Sequence, residues 1–300
     1  MSHTQVREAG AGMTAAKVTA RTLLEKKRRQ EPVTALTAYD YPTARIVDEA
    51  GIDLILVGDS LAMTVLGHEN TLSLTVEEML HHVRAVRRGV QRAFVVADMP
   101  YGSYHVNTED TLRNALCFIK HGGAEAVKIE GGQRRAPLVE ELTAAEIPVV
   151  GHIGLTPQSV LQMGGYRVQG RSIPEMEELL ADAAALEGAG AVALVLEGIP
   201  RELAEEITAA VKIPTIGIGA GPGCDGQILV FHDAFELAFS PAAKFVRSFG
   251  DAGALLREGI EQFRDAVATR TFPSDAESYH LPRELASRMK VPAAPVSLAS

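Results

Sequence analysis

Eight short aliphatic runs, rich in β-branched residues, punctuate the 300-residue chain. They are Val33 to Thr37, Ile52 to Val57, Ala93 to Ala97, Ala124 to Ile129, Ile147 to Val150, Ala191 to Leu196, Ile213 to Ile218 and Ile228 to Phe231. Each is apolar on successive rather than alternate residues, which predicts strands covered on both faces, as in a parallel sheet flanked by helices. Helical stretches separate them. Thr75-Val76-Glu77-Glu78 and Ser172-Ile173-Pro174-Glu175 have the spacing of capping boxes. Pro200 is placed to open another helix, and Leu112 to His121 and Met176 to Glu187 carry apolar residues at helical spacing. Eight strand-helix alternations predict a (β/α)8 TIM barrel, a fold that takes about 250 residues.

This grammar fits one barrel domain over residues 17–283, with a flexible N-terminus over 1–16 and a tail over 284–300. Lys17 to Gln30 reads as a helix across the bottom of the barrel, its Lys26-Lys27-Arg28-Arg29 end solvated, where cations suit the helix dipole. A doubly wound Rossmann sheet shares the alternation, but no G-x-G-x-x-G follows the first strand.

Composition narrows the function classes. With 29 Lys and Arg against 38 Asp and Glu, the net charge is -9, opposite to what a nucleic-acid-binding face requires. No apolar run reaches the roughly 18 residues of a membrane span, and the first residues lack a signal-peptide core. Cys117 and Cys224 stand far apart, which argues against a disulfide scaffold or a structural zinc site and suits a reducing, cytoplasmic setting. Cys117 reads as a small core residue.

In a parallel barrel, reacting groups sit where strands end, so the polar residue terminating each run carries the functional information. Here the ends are Tyr39-Asp40, Asp59-Ser60, Asp98, Lys128-Ile129-Glu130, His152 and Glu197. Taken singly, each acidic residue reads more readily as a helix N-cap than as a functional group. Taken together, Asp59, Asp98, Lys128, Glu130 and Glu197 surround one mouth, and carboxylates so gathered need a counter-ion. Hard oxygen donors without a His/Cys cluster favour Mg²⁺. Lys128 and Glu130 share side-chain parity, so both point the same way. His81-His82 reads as a solvated helix face. The glycines from Gly217 to Gly223 fit either a phosphate-binding turn or plain tight turns. Leu61 to Ser73 is long for a connection and reads as a lid or an interface loop.

At these residues the chain resembles the ketopantoate hydroxymethyltransferase (3-methyl-2-oxobutanoate hydroxymethyltransferase) family, of the phosphoenolpyruvate mutase and isocitrate lyase type of barrel. The resemblance runs from about Lys17 to Pro282. It passes through Thr37-Ala38-Tyr39-Asp40, Val57-Gly58-Asp59-Ser60, Ala97-Asp98-Met99-Pro100, Val127 to Gly132, Gly151 to Gln158, Gly219-Ala220-Gly221 and Asp225-Gly226-Gln227. It implies transfer of a hydroxymethyl group from 5,10-methylenetetrahydrofolate to 3-methyl-2-oxobutanoate through a Mg²⁺-stabilised enolate, giving 2-dehydropantoate on the way to pantothenate and coenzyme A. It also implies a cytoplasmic homodecamer. Carried over by position, Asp59 and Asp98 match metal ligands that also meet substrate, and Glu130 matches a metal-site carboxylate. Ser60 and Lys128 match substrate contacts, and Glu197 matches the proton acceptor. His152 is left between orienting substrate or folate and supplying a supporting hydrogen bond, and Tyr39 is expected in a supporting position. The alternatives are a Mg²⁺-dependent lyase or mutase acting on another 2-oxo acid, and a non-catalytic binding barrel. A lyase would carry a reactive cysteine after strand four, where Gly131-Gly132-Gln133 offers none.

Overall fold

The computed structural model describes residues 16–288. These divide into two compact units, one running to Gly250 and the other beginning at Asp251. The first unit is a closed barrel of eight parallel strands, each paired with its sequence neighbours and the last with the first. The strands are β1 (Val33–Thr37), β2 (Leu54–Val57), β3 (Phe94–Asp98), β4 (Ala126–Glu130), β5 (Val149–Gly154), β6 (Ala193–Glu197), β7 (Thr215–Ile218) and β8 (Gly226–Leu229). Val33 of β1 pairs with Gly226 of β8, closing the sheet. Among the described residues, no helix is long and apolar enough to cross a membrane.

Strand parity creates two cores. Residues pointing inward, among them Ala35, Leu54, Leu56, Phe94, Val96, Ala126, Val150, Ala193, Val195, Ile216 and Ile228, fill the barrel, and Val18 and Leu23 join them. Residues of the opposite parity, such as Ile55, Val95, Val127, Ile129, Leu194 and Leu196, pack with the surrounding helices through Met79, Val83, Val139, Leu142, Leu186 and Ile207. Burial on both faces accounts for the unbroken apolar runs. β3, β4, β5 and β6 run one to four residues past the C-terminal ends of the apolar runs, whereas β8 lies two residues earlier than its run. The reason is local: β5 stays in register through Glu130 with His152 and Gly154 with Glu197, so polar residues that end the hydrophobic pattern still belong to the ladder.

The helix Ala20–Arg28 is fastened at the N-terminal ends of the strands. Lys26 pairs with Asp53, which also receives Arg92 Nη2 at 2.8 Å. Lys27 Nζ lies 2.7 Å from Asp225 Oδ2 and donates to the Thr208 carbonyl at 2.9 Å. The expectation of a solvated basic end is thus corrected for Lys26 and Lys27, whose stems run inward because carboxylates wait before β2 and β8.

Further readings change or are sharpened. Thr75 and Glu78 form the reciprocal capping box, but Ser172 makes no side-chain capping bond, and Glu175 instead accepts from Arg171 N at 2.7 Å. His82 is not merely solvated: its Nδ1 lies 2.6 Å from the Tyr39 carbonyl. The stretch from Leu112 is helical, but from Cys117 to Gly122 it becomes a π-helical turn. The glycine run makes tight turns, with Gly219 at φ 64° and Gly221 at φ 76°, and it is closely packed. Phe245 lies against the Cα of Gly219, Arg201 against Gly221 and Glu205 against Gly223, leaving no room for a Cβ. In the second unit, the helix Ala252–Ala268 carries Leu255, Leu256, Ile260, Phe263 and Val267 exposed.

Candidate active site

The inward parity that stacks aliphatic side chains through the barrel ends in charge. Following Phe94 and Val96 comes Asp98; following Ala126 come Lys128 and Glu130; following Val150 comes His152; following Ala193 and Val195 comes Glu197. Asp59 and Ser60 arrive from the turn after β2. Asp59, Asp98, Lys128, Glu130 and His152 are all buried.

The N-cap alternative separates these acids. Asp40 does cap a helix, accepting from Thr43 N at 2.8 Å. Asp59 and Asp98 instead bond across the mouth: Asp98 Oδ2 accepts from Asp59 N at 3.0 Å, and Asp59 Oδ2 accepts from Gln158 Nε2 at 3.0 Å. Lys128 Nζ lies 3.0 Å from Asp98 Oδ1 and 3.5 Å from Glu130 Oε1. Both contacts are off-axis attractions of charge, and Asp98 Oδ1 and Glu130 Oε1 have no hydrogen bond.

Charge in this space is strongly unbalanced. Burial, then the negative charges of Asp98 and Glu130, push the Asp59 carboxyl well above its ordinary range. Burial also raises Asp98 against the pull of Lys128. For Glu130, burial works upward, but Lys128, His152 and the Gln158 amide outweigh it and hold the group low. Burial disfavours the Lys128 ammonium, yet the three carboxylates hold it firmly protonated. One ammonium against three carboxylates leaves a deficit of positive charge.

His152 joins this cluster to Glu197. Its Nδ1 lies 3.1 Å from Lys128 Nζ, and its Nε2 lies 3.1 Å from Glu197 Oε2. An ammonium can only donate, so the Lys128 contact makes Nδ1 an acceptor and leaves the ring proton on Nε2, toward Glu197. Burial and the Lys128 charge oppose a second proton. The Glu130 and Glu197 carboxylates beside the ring outweigh them and raise the imidazole to about 9. On the far side of the mouth, the buried Tyr39 hydroxyl lies 2.7 Å from Ser60 Oγ. Burial pushes this phenol up to about 12, so it remains a neutral hydrogen-bonding support.

Every residue singled out in the sequence, Tyr39, Asp59, Ser60, Asp98, Lys128, Glu130, His152 and Glu197, comes to this one end of the barrel. Gln158 and Tyr104 had been given no role. Gln158 N donates to Glu130 Oε2 at 3.0 Å, and the Tyr104 hydroxyl donates to Gln158 Oε1 at 2.7 Å. Both follow strand ends, β5 and β3, and that position was the available signal; being uncharged, they drew no notice. Gly154 has a structural part. Its φ is 91°, and a Cβ there would stand 2.2 Å from the Glu197 carbonyl oxygen, so β5 can approach the Glu197 backbone only through glycine.

The donors fit a hard divalent cation. They are oxygens, two are buried with unfilled lone pairs, and their combined charge exceeds what Lys128 neutralises. No three His, Cys, Asp or Glu side chains among the described residues are close enough to hold an ion alone, so water or substrate oxygens would complete the shell, as Mg²⁺ commonly accepts. A separate cavity of about 180 Å³ is lined by Gly131, Gly132, Gly154, Glu175 and Asp182. It does not include the buried carboxylates, which have the more convergent chemistry.

The ketopantoate hydroxymethyltransferase family model matches residues 17–275. The chain belongs to the ketopantoate hydroxymethyltransferase family. A 3-methyl-2-oxobutanoate hydroxymethyltransferase of Koribacter versatilis (strain Ellin345) is 64% identical over 92% of this chain and 93% of its own length. That of Thermoanaerobacter sp. (strain X514) is 51% identical over 88% and 97%. Among solved structures, 2,3-dimethylmalate lyase of the PEP mutase/isocitrate lyase superfamily superposes with a TM-score of 0.53 at 17% identity, covering 90% of this chain and 93% of that one. Phosphonopyruvate hydrolase, solved in complex with oxalate and Mg²⁺, gives 0.52 at 16% identity over 88% and 92%. These structures share the fold. Membership in the ketopantoate hydroxymethyltransferase family makes the chain an enzyme, a transferase built on a TIM barrel.

Proposed function

We propose that the chain transfers a hydroxymethyl group from 5,10-methylenetetrahydrofolate to 3-methyl-2-oxobutanoate, forming 2-dehydropantoate for pantothenate and coenzyme A synthesis. The observation that carries this reading is the separation of Glu197 from the other carboxylates. Asp59, Asp98 and Glu130 crowd around Lys128, whereas the Glu197 carboxylate pairs, among the described residues, with the far nitrogen of His152. One mouth therefore offers a cation site and an independent base.

Asp59 and Asp98 would hold Mg²⁺, with Glu130 beside them. Bound there, Mg²⁺ would supply positive charge toward the keto-acid oxygens. Lys128 adds a fixed positive charge to the same wall, and Ser60, held by Tyr39, offers a hydroxyl for the substrate. The carboxylate of Glu197 takes the proton from C3 of 3-methyl-2-oxobutanoate, and the electron pair left behind attacks the methylene carbon of the folate as one of its two carbon–nitrogen bonds breaks; water then replaces the second nitrogen, supplying the hydroxyl oxygen and releasing tetrahydrofolate. His152 Nε2–H faces one oxygen of Glu197 and so turns the carboxylate as it works. Asp59, Asp98, Lys128 and Glu130 are buried, whereas the Glu197 side chain is 16% exposed and can exchange its proton with solvent. The cytoplasmic setting and homodecameric assembly implied by the family resemblance belong to the same proposal.

The test is incubation of the purified protein with 3-methyl-2-oxobutanoate, Mg²⁺ and 5,10-methylenetetrahydrofolate, with products resolved by mass. Formation of 2-dehydropantoate is expected; its absence across metal conditions would remove the assignment.

A further inference from the structure

Each metal-site carboxylate has one oxygen tied to a buried N–H. Asp98 Oδ2 accepts from Asp59 N, Asp59 Oδ2 from Gln158 Nε2, and Glu130 Oε2 from Gln158 N, each at 3.0 Å. Two of the three donors belong to one residue. The opposite oxygens of Asp98 and Glu130 are the buried ones left without a hydrogen bond.

Gln158 lies on the short turn Pro157–Ser159 directly after β5 and is 3% exposed. Its amide can face only one way. The Met99 carbonyl, an acceptor, lies 3.0 Å from Nε2 and demands the NH2 group there; Tyr104 then donates to Oε1. The two Nε2 hydrogens are thereby divided between Met99 and Asp59. Turning the amide over would break three bonds in a buried space, where unmet polar groups are costly. A side chain needed only for volume would be apolar; the buried amide is kept for what it bonds.

We propose that Gln158, steadied by Tyr104, is the positioning residue that decides which oxygens Asp59 and Glu130 present to the divalent cation. It acts through the carboxylates, by donating to one oxygen of each and leaving the other for the ion. The inference rests on the reading of this cluster as a cation site.

Gln158→Met and Tyr104→Phe test it, with Mn²⁺ as the probe and no substrate present. Free and bound Mn²⁺ are followed by electron paramagnetic resonance, and folding by circular dichroism. Supporting hydrogen bonds around metal ligands are worth about 10- to 100-fold in affinity, so folded Gln158→Met should lose about that much and show an altered bound-Mn²⁺ line shape. Tyr104→Phe should shift affinity the same way by less. Wild-type affinity and line shape in folded Gln158→Met would overturn the proposal. Should Gln158→Met fail to fold, unchanged Mn²⁺ binding by folded Tyr104→Phe would do so. Wild-type protein that binds no Mn²⁺ would instead overturn the cation-site reading itself.

Discussion

Asp98 and Lys128 are register partners across β3 and β4, and the pairing sets the ammonium 3.0 Å from the carboxylate. Neighbouring parallel strands thus deliver opposite charges to one buried layer before any ligand arrives. With Lys128→Met, Asp98 and Glu130 lose the cation between them. The metal-free variant should melt lower than the wild type, and Mg²⁺ should raise its melting temperature by a larger margin. Equal Mg²⁺-dependent shifts in the two proteins would show that Lys128 carries no part of the balance.

Asp98→Ala removes an oxygen donor and leaves the Asp59 amide without its acceptor. Mg²⁺ affinity should fall by more than about tenfold, exceeding the loss of a supporting bond. Calorimetric titration of folded variant and wild type checks this, and equal affinities would refute the ligand assignment.

Glu197→Gln separates proton removal from cation binding. In heavy water without folate, the wild type should exchange the C3 hydrogen of 3-methyl-2-oxobutanoate. The variant should be slower by about 10²- to 10⁴-fold, the usual effect of losing a general base, while Mg²⁺ affinity is retained. Exchange at the wild-type rate, read by proton magnetic resonance, would move the base elsewhere, to Lys128 or His152.

Asp53→Asn addresses stability. Burial opposes the Asp53 charge, but Lys26, Thr34 and Arg92 outweigh it and hold the carboxyl below its ordinary value. A group with a lowered folded pKa contributes stability above its unfolded pKa, near 3.9, and loses it as pH falls through the folded value. The variant should be less stable by about 1 kcal/mol at neutral pH, the pairs being partly open to solvent, and this difference should shrink below about pH 4. Denaturant melts of both proteins across pH 3 to 7 measure it. A constant difference would mean that the ion pairs contribute nothing.

The apolar face of Ala252–Ala268, with Leu255 71% and Ile260 66% exposed, bears on assembly. Light scattering should give a mass of several chains, and Ile260→Glu should lower it. A single-chain mass for the wild type would refute the expected oligomer.

The barrel was legible because burial on both faces writes most of its strands as nearly continuous aliphatic runs, and the mouth was legible because a charged residue or histidine follows each of the first six. What escaped was set by distance in space. Lys26 and Lys27 look like a solvated helix end until Asp53 and Asp225, remote in the chain, are brought beneath them. Gln158 carries no charge, so its part emerges only when Asp59, Met99, Tyr104 and Glu130 converge on it. The glycines after β7 left two meanings open; the positive φ of Gly219 and Gly221 bears out the tight turns, and the close side chains of Phe245, Arg201 and Glu205 became visible only in space.

The ion pairs of the first helix also bear on how the cylinder shuts. β1 has β2 on one side and β8 on the other, so the β1–β8 edge is a seam that joins the first strand to the last. Lys26 reaches the residue before β2, and Lys27, its neighbour, reaches the residue before β8. One turn of helix therefore clasps both flanks of β1 and acts as a latch across that seam. Its Lys27 half can engage only where β8 lies beside β1, so the first helix among the described residues holds the closed form of the sheet in particular.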